Sequence, residues 1–304
     1  MTTKGRHLIV LAGPTAVGKT DLSVSLAEHF GCDIISGDSR QFYQEMSIGT
    51  AKPTPEEMRA VPHHFVDSHS IKDQINAGDF EKLALAQIEA CFKTNSMVIL
   101  TGGSGLFLKA VYDGLDQFPD ISNEAKETVS KLYQTEGIEG LQRQLQQLDP
   151  DYYNTVDIQN PHRIMRALEV CLSSHQPYSN FLNQSTSSRP FKTFKIALNR
   201  DREELYDRIN QRVDIMMKNG LLEEVQSLLP FEHLSSMQTV GYQELFPYLK
   251  NEISLAEAIS LIKRNSRRYA KRQLTWFRRE KDFEWFHPSE KEEIIKFIEK
   301  VISE

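Results

Sequence analysis

Residues 13–20 read Gly13-Pro14-Thr15-Ala16-Val17-Gly18-Lys19-Thr20, a glycine, four residues, then Gly-Lys-Thr. In such a loop the glycines let successive backbone N–H groups turn onto phosphate oxygens. Lys19 adds a point charge and Thr20 offers a hydroxyl to Mg²⁺. The apolar run Leu8-Ile9-Val10-Leu11-Ala12 before it has the length of a buried parallel strand. After it, Leu22, Leu26 and Phe30 recur every fourth residue and Gly31 supplies a stop. The phosphate group is thus expected on a helix N-terminus, where free N–H groups favour negative charge. At average composition the motif arises by chance in about one chain in a hundred of this length. Strand and helix on the correct sides make chance rarer still, so a di- or triphosphate site is the reading.

The rest of the chain supports an α/β fold. Asp33-Ile34-Ile35-Ser36 reads as a strand delivering the polar loop Gly37-Asp38-Ser39-Arg40-Gln41. Ligands of open α/β sheets bind beyond the carboxyl ends of strands, which places Asp38 beside the phosphate loop. Residues 47–55 form a Gly- and Pro-containing loop, and Val61–Asp67 has weak strand character. Phe80, Leu83, Ala84, Ile88, Cys91 and Phe92 have helical spacing; Met97–Leu100 is a further buried strand, followed by Thr101-Gly102-Gly103-Ser104-Gly105 and a helix from Leu106 to Tyr112. Between about 119 and 190 no strand-like run appears, and Asn160-Pro161 opens a helix whose apolar stripe is Ile164, Leu168 and Cys171. Ser179 to Pro190 is a polar linker, and Lys195–Asn199 returns to strand. Asp201 with Glu204, and Ser254 with Glu257, are expected capping boxes. The fold expected is a P-loop NTPase-like parallel sheet flanked by helices, its core formed by 1–118 and 192–304, with an α-helical insertion at 119–191.

Composition is that of a globular protein: 39% hydrophobic, 26% charged, net charge −6. No stretch is apolar enough to span a bilayer, and the first residues lack a signal-peptide pattern. Cys32, Cys91 and Cys171 lie far apart with no C-x-x-C, which argues for reduced core thiols in a cytoplasmic protein and against a zinc module. Residues 263–281 carry nine Lys or Arg against Glu280 alone, so the remainder sums to −14. That asymmetry points to a polyanionic partner for one surface. The run Lys263, Arg264, Arg267, Arg268, Lys271, Arg272, Arg278, Arg279 is interleaved with Tyr269, Trp276 and Phe277, which either pack inward or stack on bases.

Three further groups bear on chemistry. Asp38 is either a turn residue bonding its own backbone, a more distant Mg²⁺ partner, or a carboxylate placed to take a proton. The strand at 97–100 ends without the acid that commonly holds Mg²⁺ in nucleotide hydrolases, which counts against simple nucleotide hydrolysis. Arg208 and Arg212, four apart, share a helix face and either pair with Glu204 or Asp207 or clamp a diphosphate. Arg163 and Arg166 carry the same ambiguity. Adjacent His63 and His64 point to opposite strand faces, so a shared metal is disfavoured and structural roles are expected.

The segments GPTAVGKT (13–20), GDSRQFY (37–43), IGTAKPT (48–54), VPHHFVD (61–67), LTGGSGLF (100–107), NPHRIMRALEV (160–170), RINQRVDIMMKNGLLEEV (208–225), TVGYQE (239–244) and YAKRQLTWFRR (269–279) occur in one order across nearly the whole chain. In this set the sequence resembles the bacterial tRNA dimethylallyltransferases (tRNA isopentenyltransferases). The resemblance implies transfer of a dimethylallyl group from dimethylallyl diphosphate to N6 of the adenosine beside the anticodon, in tRNAs reading codons that begin with U. It implies Asp38 as general base, Gly13 to Thr20 on the diphosphate with Mg²⁺ at Thr20, and Arg212, with Arg208, on the leaving group. It implies tRNA contacts at Asp38, Ser39, Arg40, Gln41 and Ser104, at Asn160, Pro161, His162 and Arg163, at Gln238, Thr239, Val240, Gly241, Tyr242 and Gln243, and on the basic helix at Arg268 and Arg272. The target base would leave its stack to enter the site. Ser104 stands where the family commonly has Thr and keeps the hydroxyl. The chain stops at Glu304 without the zinc finger that eukaryotic relatives often add, as bacterial members do. Nothing in the sequence demands more than a monomer.

The rival readings are an adenylate isopentenyltransferase acting on free AMP, ADP or ATP, a small-molecule kinase, and a non-catalytic RNA-binding nucleotide switch. The long insertion and the basic run favour tRNA over the first. A kinase is expected to carry an acid after Leu100, and a switch should tolerate Asp38→Asn.

Overall fold

The computed structural model describes residues 5–182 and 188–303. Two compact units result, one formed by 1–113 with 188–304 and the other by 114–187. Both edges of the second unit fall four or five residues before those of the expected insertion at 119–191, and residues 183–187 of the expected linker lie outside the described residues.

In the first unit the chain runs β1 (His7–Ala12), α1 (Lys19–Phe30), β2 (Asp33–Ser36), a short α2 (Pro55–Met58), β3 (His63–His64), α3 (Ala77–Cys91), β4 (Met97–Gly102) and α4 (Gly105–Tyr112). The second unit holds α5 (Asn123–Leu148), α6 (Pro150–Tyr153) and α7 (Pro161–Ser174). The chain returns to the first with β5 (Lys192–Leu198), α8 (Arg202–Lys218), α9 (Leu221–Leu228), α10 (Leu245–Leu249), α11 (Leu255–Phe277), β6 (Glu284–Phe286) and α12 (Lys291–Ser303).

All strand pairs are parallel, in the order β3-β2-β4-β1-β5-β6. Every residue of β1 is buried, because helices cover both faces of a parallel sheet. Alternate side chains feed two cores. Leu8, Val10, Ile35, Val98 and Leu100 face α3 and α4; Ile9, Leu11, Ile34, Ile99 and Ile196 face α1, α8 and α12. From β1 the chain skips a place to β2, β4 later fills the gap, and β5 lies on the other side of β1. That reversal opens a crevice beyond Ala12, at the sheet's carboxyl edge. A third apolar cluster (Tyr43, Met46, Val213, Val225, Tyr242, Leu245, Ile262) packs the loop after β2 against α8 to α11.

The second unit is helical, as its lack of strand-like runs predicts. Val129, Leu141 and Leu145 of α5 pack on Ile164 and Leu168 of α7. Gly137, at φ 64°, interrupts α5, and the Asn160 side chain accepts the Arg163 amide to cap α7. Among the described residues no helix is long and apolar enough to cross a membrane.

Several expectations need correction. The Val61–Asp67 strand shrinks to His63–His64, because Phe65 and Asp67 take positive φ. β5 starts at Lys192, three residues before the expected Lys195. Strand β6 had no sequence signal. The Asp201–Glu204 capping box does not form: Asp201 makes no side-chain cap, and Glu204 turns to Arg200 and His287.

Candidate active site

A cleft of about 1340 Å³ lies over the carboxyl edge of the sheet. Of the phosphate loop, Thr15, Ala16, Gly18, Lys19 and Thr20 line it, while Gly13, Pro14 and Val17 are buried behind. A Cβ on Gly13 would meet the Leu198 carbonyl at 3.0 Å and Val17 Cγ1 at 3.1 Å, so only glycine lets the loop leave β1 this close to β5.

Two arginines hold the loop's carbonyls, and one of them, Arg208, lines the cleft. Arg200 Nε donates to Val17 O at 2.7 Å and Arg208 Nε to Ala16 O at 2.9 Å. Lys19 Nζ folds back onto the Gly13 and Pro14 carbonyls, each at 2.9 Å. These bonds occupy the carbonyls of Gly13, Pro14, Ala16 and Val17. Burial pushes the Lys19 ammonium down to about 8, Asp38 opposing that shift and Arg212 adding to it. Burial likewise lowers Arg212, offset by Asp38 and Glu57. Asp38 therefore faces a pair of cations.

Arg212 is half-buried in the cleft, its guanidinium donating to Thr15 Oγ1 at 3.3 Å and Ala51 O at 3.4 Å. Of the two readings left open for Arg208 and Arg212, the pairing with Glu204 or Asp207 does not form among the described residues; Glu204 pairs with Arg200 instead. Asp38 Oδ1 accepts the Arg40 amide at 3.0 Å, the turn bond anticipated from sequence, and the residue lines the cleft. Ser39, Arg40 and Gln41 line it too. Ser104 sits behind Ser39, with its Oγ 3.3 Å from the Ser39 amide and 3.2 Å from the Ser39 hydroxyl.

Two polar residues that sequence reasoning passed over organise the walls. Gln273 of α11 accepts the Thr15 amide at 2.9 Å and donates to Gly103 O at 2.9 Å, tying the phosphate loop to the turn after β4. Glu224 of α9 accepts the amides of Ser47 (3.0 Å), Ile48 (2.8 Å) and Gly49 (3.0 Å). The loop it holds presents the Thr50 and Ala51 carbonyls to Gln41 Nε2 at 3.3 and 3.1 Å. Arg200 was also missed; its place just past β5 is the one signal for it.

Gln238, Thr239, Val240, Gly241 and Gln243 line the cleft, as does Arg272. Tyr242 does not. Its ring is fully buried against Gly49 and its hydroxyl donates to Glu224 at 2.6 Å, so the side chain presents no surface to the cleft. Its apolar neighbours and the missing Cβ of Gly49 draw it inward. Asn160, Pro161, His162 and Arg163 belong to the helical unit, at the start of α7.

The basic run is subtler than its charge count. Lys263 pairs with Asp214 at 2.6 Å, Arg267 donates to Asn210 at 2.6 Å, and Glu280 pairs with Lys109 at 3.2 Å. Partners scarce in the local sequence thus come from α8, while the run's one acid, Glu280, is taken by Lys109 of α4. Arg264, Arg268, Lys271 and Arg272 stay exposed along α11. Phe277 is buried and Trp276 packs on Gly105, which settles those two aromatics as inward-facing; Tyr269 lines the cleft. Its phenol is raised by burial and then by Asp38.

The sequence model of the IPP transferase family matches residues 41–280. The chain is 49% identical to tRNA dimethylallyltransferase 1 of Phocaeicola vulgatus, over 97% of this chain and 98% of the relative. The crystal structure of the full-length tRNA isopentenylpyrophosphate transferase of Bacillus halodurans superposes with a TM-score of 0.74 at 36% identity, covering 98% of this chain and 97% of the other. A eukaryotic dimethylallyltransferase acting on tRNA shares the fold, with a TM-score of 0.81 at 24% identity, over 93% of this chain and 74% of its own. On the family match and the near full-length identity, this chain belongs to the IPP transferase family, whose named members are tRNA dimethylallyltransferases.

Proposed function

We propose that this chain transfers a dimethylallyl group from dimethylallyl diphosphate to N6 of the adenosine beside the anticodon, in tRNAs reading codons that begin with U. The observation that carries the reading is one cleft in which two cations, Lys19 and Arg212, face a carboxylate, Asp38, at the mouth of a phosphate loop.

In this scheme the diphosphate lies on the loop's N–H groups and the N-terminus of α1. The adenine amine, a poor nucleophile, approaches from the Asp38 side. The new N–C bond forms as the allylic C–O bond breaks, and the amine's proton passes to Asp38. Lys19 and Arg212 meet the charge growing on the departing diphosphate. Thr20, an oxygen donor lining the cleft in the first turn of α1, suits a hard cation such as Mg²⁺. When bound there, Mg²⁺ supplies further charge neutralisation at the diphosphate. Ser39, Arg40, Gln41 and the 238–243 turn read the flipped base and its neighbours, with the buried Tyr242 as the turn's anchor. The exposed face of α11 meets the backbone, and residues 160–163 of the helical unit add contacts to the anticodon stem-loop. The same reading has the protein act as a monomer in the cytoplasm.

The test uses the protein, Mg²⁺, labelled dimethylallyl diphosphate and an anticodon stem-loop with adenosines on the 3′ side of the anticodon. Label is expected in the RNA. Label entering free AMP, or ATP turnover without RNA labelling, would overturn the proposal.

A further inference from the structure

Away from the cleft, three side chains from three elements converge. Asp33 opens β2, His64 ends β3 and Cys91 ends α3. Their nearest ligating atoms all lie within 4.8 Å of one another. The convergence follows from strand geometry. Asp33 and Ile35 share a face of β2, and His64 is the register partner of Ile35, so its ring reaches diagonally to Asp33.

The triangle has edges of 2.8 Å (His64 Nε2 to Asp33 Oδ2), 3.4 Å (Cys91 Sγ to the same oxygen) and 3.7 Å (Cys91 Sγ to His64 Nε2). For a tetrahedral zinc ion with ordinary bond lengths, N, O and S ligands sit roughly 3.3–3.6 Å apart. Only the N–O edge would need to open, by about half an ångström. Both neighbours converge on one oxygen, Oδ2, while Oδ1 accepts Asn95 Nδ2 at 3.3 Å, which orients the carboxylate as an outer partner orients a metal ligand. Cys91 is buried, but the His64 and Asp33 side chains are 26% and 21% exposed, leaving a side from which an ion can enter. None of the three lines the cleft.

We infer that Asp33, His64 and Cys91 form a zinc-class divalent metal site that pins the two-residue strand β3 to β2 and to the last turn of α3. This role is structural, independent of the cleft's chemistry. Burial holds the Cys91 thiol up at about 11, so an arriving metal must displace its proton.

The experiment strips the full-length protein with chelator, then titrates it with Co²⁺ and Zn²⁺ in excess Mg²⁺, which keeps oxygen-only sites filled. One equivalent of Co²⁺ should give a thiolate-to-cobalt charge-transfer band and intense tetrahedral d–d bands, both displaced by Zn²⁺, and Zn²⁺ should raise the melting temperature. Cys91→Ser should remove the charge-transfer band, and His64→Gln should weaken binding at least about tenfold. Cys32→Ser, whose thiol packs on the other face of the sheet, should leave both intact. If Cys91→Ser does not fold, His64→Gln alone decides. No thiolate band at saturating Co²⁺ in the folded wild type overturns the inference, as does binding that neither Cys91→Ser nor His64→Gln reduces.

Discussion

The Glu224 carboxylate accepts the Tyr242 hydroxyl at 2.6 Å while the same group gathers the amides of Ser47, Ile48 and Gly49. One side chain thus joins a cleft wall to the 238–243 turn. Removing it strands several donors, some still reachable by water. Glu224→Ala should cost about 2–3 kcal/mol and Tyr242→Phe about 1 kcal/mol, read from urea unfolding midpoints. Because Ala51 O is an acceptor for Arg212, Glu224→Ala should also raise KM for dimethylallyl diphosphate.

Gln273 bridges two loops that both border the proposed diphosphate. Gln273→Ala leaves the Gly103 carbonyl and the Thr15 amide without their partner. A stability loss of about 1–3 kcal/mol is expected. Steady-state kinetics should show kcat/KM falling about tenfold or more, by a misplaced phosphate loop.

Lys19 sets a pH dependence. Its folded value is near 8 against an ordinary 10.5, so from about 8 to 10.5 the unfolded chain binds the extra proton and this group's contribution to stability rises with pH. Ligand binding runs the other way, because diphosphate wants the ammonium. Affinity for inorganic diphosphate should fall as pH rises through about 8, with proton uptake on binding near and above that pH. Calorimetry in buffers of different ionisation enthalpy measures the uptake. Lys19→Met should abolish both the affinity and its pH dependence while raising the melting temperature at neutral pH.

The exposed stripe Arg264, Arg268 and Lys271 predicts salt-sensitive RNA binding. Each substitution to Ala should weaken anticodon stem-loop binding for all sequences alike and reduce the slope of log K against log salt by about one. Lys263→Ala should change the slope far less, since Asp214 already holds that ammonium. Fluorescence anisotropy across a salt series makes the comparison.

The sheet's centre was legible because it is written locally. The runs 8–12 and 97–100 are continuous and apolar, 33–36 has Ile34-Ile35 at its centre, and the motif at 13–20 fixes which strand is first. β6 was not legible: three residues carry no usable alternation, and their strand character comes from pairing with β5. Asp38, Lys19 and Arg212 could be nominated from chemistry and resemblance. Glu224 and Gln273 could not, since a polar residue on a helix looks like surface until its partner appears. The loop groups they hold lie 170 to 258 positions away along the chain. Tyr242 misled for the complementary reason. In sequence it sits among residues that line the cleft, and its inward course appears only once Gly49, Glu224 and its apolar neighbours are in place around it.

The central claim is that Asp38 takes the proton of the attacking amine, and it is tested most directly by single-turnover transfer with Asp38→Asn. Asparagine keeps the shape and can still accept the Arg40 amide, but it cannot hold the proton. The account predicts a rate lower by about 10²- to 10⁴-fold, with stem-loop and dimethylallyl diphosphate affinities within a few-fold of wild type. A variant that transfers the dimethylallyl group at the wild-type rate, or one whose whole loss lies in RNA affinity, would contradict it.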